Sequence, residues 1–327
     1  MSDAGIDKVF AGSIPEIYDT VLVPLIFESY ATDLARRVAG RQLKSVLEIA
    51  AGTGVVTRAM AKVLPRDVSI VATDLNAQMI DRARAVGVAG NVDWHHADAM
   101  NLPYRDGTFD AVVCQFGAMF FPDKTKAFSE ARRVLRPGGS LLFNVWDRIE
   151  ENEFADVVTT ALQTIFPDDP PRFMPRTPHG YFDTDLIRSD LAGAGFTTMP
   201  RITTLAARSR AESPRAPAIA YCQGTPLRHA IITRGGARRG EATEIEAGRT
   251  AGRAGRGSRA GGRNRGRDCR AVGTRGWAPG KDAIAPPDRR RLHRSYAPRG
   301  RSAAAPQGRR AQCWRGLLPG SPDVPHP

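Results

Sequence analysis

The sequence has few of the residues that build metal or disulfide sites. Its four cysteines, Cys114, Cys222, Cys269 and Cys313, are widely spaced. With no C-x-x-C pair and no clustered histidines, the pattern excludes a zinc-finger-type centre and a disulfide scaffold, and no metal is expected. Free thiols in a reducing compartment are the expected state. No apolar run approaches the roughly 20 residues that a membrane-spanning helix needs. The opening MSDAGIDKVF lacks the basic start and apolar run of a secretory signal, so the expected location is cytoplasmic. Also missing are the G-x-G-x-x-G spacing of nicotinamide-dependent oxidoreductases and any Ser/His/Asp or paired-carboxylate signature, so no catalytic residue is assigned.

The net charge of +13 is unevenly distributed. Residues 1–230 hold 25 Lys and Arg against 27 Asp and Glu, whereas residues 231–327 hold 22 against 7. The basicity that invites a nucleic-acid reading therefore belongs to the last third alone. From about residue 235, Arg, Gly, Ala and Pro dominate and apolar periodicity stops, so a disordered tail over 235–327 is expected. Its composition resembles RGG-type RNA-binding segments, but its only aromatics are Trp277, Tyr296 and Trp314. Non-specific, salt-sensitive contact is the most it would offer nucleic acid. GC-rich coding sequence read out of frame yields the same alphabet. A frameshift near 235–250 would account together for the charge jump, the lost periodicity and a missing final strand; coding DNA whose shifted frame gave no helix and strand would contradict it. Residues 281–285 (KDAIA) are the one weak substitute strand in the tail.

What the first 234 residues do contain is an alternation. Runs at 45–50, 69–74, 91–96, 109–116 and 140–146 predict strands, and helical spacing occupies 54–64, 76–86 and 124–135. The order predicts an α/β fold, a doubly wound sheet of parallel strands with crossover helices. Residues 1–40 predict an N-terminal helical cap broken at Pro24, ahead of a domain spanning 41–234. Residues 148–182 read as an irregular excursion, 183–194 as a helix capped by Asp183, and 196–207 as a sixth strand whose Pro200 implies an edge or a bulge.

The chemistry-bearing residues fall at the carboxyl ends of the predicted strands. Ala50-Ala-Gly-Thr-Gly54 is a small-residue loop that lets backbone N–H groups approach a ligand, as purely structural turns also do. Asp74, twenty residues after Gly54, suits a carboxylate on both hydroxyls of a ribose, or a helix N-cap. Asp98 could accept from an exocyclic amine, with the Ala99 N–H reaching a ring nitrogen, or be a solvated loop residue. His95 and His96 are adjacent on one strand and point to opposite faces, so at most one can face a site.

Taken in order, VLEIAAGTG, ATDLNAQMID, ADAMNLPYRDGTFDAVVCQFG and VLRPGGSLL resemble the class I S-adenosylmethionine (SAM)-dependent methyltransferases. The resemblance covers residues 10–230 and is closest to the small-molecule branch related to ubiquinone/menaquinone-biosynthesis C-methyltransferases (methyltransferase type 11-like). It implies a Rossmann-like sheet of seven strands with the last antiparallel, SAM as cofactor, and transfer of its methyl group to a small-molecule acceptor. It further implies that Glu48, Gly52 and Gly54 hold the amino-acid end of SAM, Asp74 the ribose, and Asp98 and Ala99 the adenine. Leu75 and Met79 would flank the base, with Gln115 and Phe116 facing the methyl-transfer centre. Tyr18 and Tyr30 could close over the cofactor. Phe166, Phe173, Met174, Tyr181 and Phe182 could offer an apolar acceptor surface, or serve core packing. One position departs: Ala50 stands where the family often has glycine. A methyl there suits ordinary torsions only, so a slightly altered loop is expected.

Overall fold

The computed structural model describes residues 10–235 and the backbone of residues 260–272. Within them, β1 (Ser45–Glu48), β2 (Ser69–Asp74), β3 (Val92–His96), β4 (Phe109–Gln115) and β5 (Leu135–Trp146) are parallel neighbours. Two further strands, β6 (Arg201–Ala211) and β7 (Ala260–Val272), complete a seven-stranded sheet of order β3-β2-β1-β4-β5-β7-β6. The central strands β1, β4 and β5 bury Val46, Leu47, Val112, Val113, Leu141 and Phe143, as a sheet covered on both faces requires, whereas edge strand β3 has no buried residue.

Helices α3 (Val55–Val63), α4 (Ala77–Val86) and α5 (Lys124–Val134) are the crossovers. The N-terminal cap forms α1 (Ile14–Ile17), a π-helix (Tyr18–Phe27) and α2 (Glu28–Ala39). The break expected at Pro24 does not occur. Pro24 lies inside the π-helix, which continues past it without the one hydrogen bond that its missing N–H would donate.

The excursion is also more regular than expected. It contains α6 (Glu153–Ile165) and the short α7 (Phe173–Arg176), and α6 buries Phe154, Ala155, Val157, Val158, Ala161 and Leu162, a helical stripe. Next come α8 (Thr184–Gly193), capped by the Asp183 side chain as expected, then β6, α9 (Arg215–Gly224) and α10 (Leu227–Thr233). Pro200 precedes β6 rather than interrupting it, and β6 is an edge strand.

The described part of the tail is the backbone of strand β7, which stands where the final strand was expected to be missing. Its backbone pairs antiparallel with both β5 and β6, from Ser140↔Val272 on one side to Ala211↔Ala260 on the other. Ladder hydrogen bonds come from the backbone, so two open strand edges can hold a segment whose side chains show no apolar pattern. The rest of the tail, including 281–285, lies outside the described residues.

Among the described residues strand β6 has β7 as its sole strand neighbour, which leads to a prediction. Deleting residues 236–327 is expected to lower the melting temperature by roughly 5–10 °C, about 2–4 kcal/mol for a domain of this size. The carboxyl ends of β1, β2 and β3 should be little disturbed, because they lie in the other half of the sheet. A calorimetric scan of the two forms checks this; identical melting curves would mean that β7 contributes nothing.

Candidate functional site

Strand order reverses at β1, which lies between β2 and β4. Ligands of open α/β sheets bind in the crevice that such a reversal leaves at the carboxyl ends. Here that crevice is a cleft of about 800 Å³, counted out to open solvent.

The loop after β1 forms its floor. Gly52 turns at φ +56°, and a Cβ there would project toward Met79 Cε (3.6 Å) and the Tyr18 ring (3.9 Å). The Gly52 N–H donates to Asp74 Oδ2 (2.8 Å), and the Asn76 N–H to Asp74 Oδ1 (2.8 Å). Asp74 is thus held by its own turn and by the loop opposite. Burial raises its pKa, against the hydrogen bonds from Asn76 and Gly52. Asn76 Nδ2 also donates to Oδ1 (3.4 Å), and with about two lone-pair sites on each carboxylate oxygen the acceptor capacity Asp74 retains is mainly on Oδ2.

Asp98 Oδ1 accepts from the Met100 N–H (2.8 Å), and the Asp98 carbonyl from the Asn101 N–H (2.9 Å). Among the described residues, neither the second Asp98 oxygen nor the Ala99 N–H has a protein partner. An acceptor and a donor therefore sit side by side in one wall. Leu75, Met79, Gln115 and Phe116 complete the lining drawn from the expected set.

Ala50 lines the cleft too, but the expectation of ordinary torsions there is corrected, since its φ is +53°. The left-handed turn is kept with a methyl on it, at a cost of about 1–2 kcal/mol. Gly117 makes room for that methyl: a Cβ on Gly117 would lie 2.5 Å from the Ala50 Cβ. Phe116 is left-handed as well, φ +49°, a rare state for a bulky residue that marks functional sites. It is held by its N–H on Asn144 Oδ1 (3.0 Å) and by stacking on Trp146 (3.7 Å between centroids, planes 4° apart).

Two expected residues lie elsewhere. Gly54 is the N-cap of α3 and packs against Trp94. Glu48 lies behind the loop, buried, accepting from the Thr57 hydroxyl (2.5 Å). Burial pushes its carboxyl up to about 8, with Thr57 and Arg58 opposing and Asp74 adding. The folded state therefore holds a proton on Glu48, between the ordinary glutamate value and about 8, that the unfolded chain has released. Stability should fall as pH rises through that window. Glu48→Gln stays neutral, so it is expected to flatten the decline and to be the more stable form above pH 8, by an amount on the order of a few kcal/mol. Urea melts at pH 5 and pH 9 without ligand check this; equal slopes for both proteins would contradict it.

Tyr18, on the π-helix, reaches over the cleft. Its neighbour Asp19 fastens the helix there by ion pairs to Arg58 (3.1 Å) and Arg82 (3.0 Å). Tyr30 is instead buried against Phe116 and Trp146. Neither adjacent histidine lines the cleft: His95 Nδ1 meets the Tyr104 hydroxyl (3.3 Å), and His96 Nε2 the Leu75 carbonyl (2.7 Å).

Behind Tyr18 and Phe116 lies a second cavity, about 520 Å³ counted out to open solvent, which shares Phe10, Tyr18, Phe116 and Phe120 with the cleft. Phe173 and Met174 line it, as an apolar surface in the excursion implies. Phe166 is buried in the core, Tyr181 donates to Asp190, and Phe182 lies under Arg148. His179 also lines this cavity. Sequence reasoning missed it, because a lone histidine in a proline-rich stretch has no partner at a recognisable spacing. Among the described residues no His, Cys, Asp and Glu group could hold a metal ion, and no helix is long and apolar enough to cross a membrane.

Residues 47–143 match the family described as Methyltransferase domain. Over 106 residues the chain is 39% identical to the ubiquinone/menaquinone biosynthesis C-methyltransferase UbiE of Haemophilus ducreyi, covering 31% of this chain and 41% of that protein. It is 38% identical over 106 residues to the protein of that name from Escherichia coli, covering 31% and 42%. The matched part spans about two fifths of the length of these relatives. Among solved structures, the YcgJ protein from Bacillus subtilis aligns with a TM-score of 0.48 at 18% identity, covering 76% of this chain and 100% of that one.

Proposed function

Because this chain carries a domain of the class I SAM-dependent methyltransferase family, we propose that its cleft binds SAM and that the adjoining cavity holds a small-molecule methyl acceptor. The observation that carries the reading is Asp74: a buried carboxylate fixed by the Gly52 and Asn76 amides, with acceptor capacity left on the cleft side. Two ribose hydroxyls are the donors it suits. The free Asp98 oxygen and the Ala99 N–H match the amine and ring nitrogen of adenine, with Met79 and Leu75 packing on the base. The bare edge of Gly52 leaves space for the amino-acid end. The residues present therefore fit the group.

SAM, when bound, supplies an activated methyl on a sulfonium, which needs little chemical help from the protein. Orientation and exclusion of water are what the chain contributes. Tyr18 and the ion pairs of Asp19 close the mouth, while Phe116, fixed in its strained state against Trp146, forms the wall between cleft and cavity. Gly54 and Glu48 act indirectly, by setting the loop. Incubation of the full chain with SAM and a panel of phenols and quinone precursors tests the reading. Acceptor-dependent release of S-adenosylhomocysteine is expected, and SAM binding without turnover on any acceptor would confine the conclusion to binding.

A further inference from the structure

The second cavity is mostly aromatic and aliphatic, with polar atoms from Tyr18, Asn152, His179, Tyr221 and Thr225, and those atoms decide what it can hold. Asn152 Nδ2 is engaged with the Asp147 and Arg148 carbonyls (3.2 and 3.0 Å). The Thr225 hydroxyl donates to the Tyr221 carbonyl (2.7 Å) and accepts from the Leu227 N–H (3.2 Å). His179 differs. Its Nδ1 lies 2.9 Å from the Asp147 carbonyl, and a carbonyl only accepts, so Nδ1 carries the hydrogen. In the neutral ring Nε2 is then a bare acceptor, and it has no protein partner among the described residues. Burial lowers the pKa of His179 to about 4, against the Asp147 hydrogen bond and the Glu150 and Asp147 charges, so the ring is neutral at ordinary pH.

We propose that His179 is a specificity-determining residue of the acceptor cavity: Nε2 accepts a hydrogen bond from an O–H or N–H on an otherwise apolar acceptor, selecting it over the same skeleton without a donor. The proposal rests on the reading of this cavity as the acceptor site. Burial that keeps the ring neutral also makes it a weak proton acceptor, so the role is recognition and positioning. A ligand without the donor would leave Nε2 buried and unpaired, which is how a polar site rejects an isostere. Phe173 and Met174 on α7 and Trp146 on β5, 6.1 Å from the His179 ring, supply the apolar walls.

Binding, read without turnover, tests this. Calorimetric titration of the full chain with 2-naphthol, 2-naphthylamine and 2-methylnaphthalene is expected to show the two donors bound about tenfold or more tightly than the hydrocarbon. In His179→Leu the three should bind alike, at the level of the hydrocarbon. His179→Gln, which keeps a side-chain acceptor, should recover part of the preference. Equal binding of all three by the unaltered protein, or an undiminished preference in His179→Leu, would overturn the proposal. SAM affinity measured on the same samples reports on the cleft separately. Unchanged SAM binding with lost discrimination supports the role of His179; discrimination without SAM binding would sink the cofactor reading and leave His179 as a ligand site.

Discussion

Asp74→Ala is expected to weaken SAM binding by about a hundredfold or more. Two hydroxyl donors meet a buried charged acceptor, and each such bond contributes about 1.5–3 kcal/mol, where every 1.4 kcal/mol is about tenfold. The substitution also strips Gly52 of its acceptor. An unpaired N–H there costs roughly 1–3 kcal/mol of fold stability, so a melting curve must accompany the titration. Asp74→Asn separates the two effects. Its amide oxygen can still take one backbone N–H, preserving more of the turn, but the charge and part of the acceptor capacity are gone. Near-native stability with affinity still reduced by tenfold or more is the expected outcome, and affinity unchanged in both variants would remove Asp74 from the site.

The second large effect is structural. Gly54→Ala places a Cβ 2.4 Å from Trp94 Cη2 on a residue whose φ is +83°. Left-handed strain of about 1–2 kcal/mol adds to overpacking of about 1–3 kcal/mol, so a loss of roughly 2–5 kcal/mol is expected from denaturant melts. Combining it with Trp94→Leu should recover the steric share and leave the torsional one, giving a coupling between the two positions. An additive double variant would show that the ring is not what Gly54 accommodates.

The alternation of β-branched runs with helical spacing made the five parallel strands and their crossovers legible in the sequence, because a two-sided sheet dictates that pattern. Asp74, Asp98 and the glycine loop were legible for a related reason: the ends of those strands converge. The sequence did not show that Gly54 serves packing or that Glu48 turns behind the loop. Spacing fixes which strand end a residue occupies, and burial against Trp94 or Thr57 depends on tertiary neighbours. Helix α6 was readable in principle, with apolar residues at 154, 157, 158, 161 and 162, but the proline-rich stretch after it drew the whole segment into an irregular reading. His179 and β7 were hidden more deeply. A hydrogen-bond acceptor in a cavity needs no sequence partner, and a strand held by backbone ladders on both edges needs no apolar period.

Ligand choice by the full-length protein tests the central claim most directly. Calorimetric titration with SAM and, separately, with NAD is expected to give one saturable SAM site, lost in Asp74→Ala, and no heat from NAD. Saturable binding of NAD with none of SAM would contradict the account.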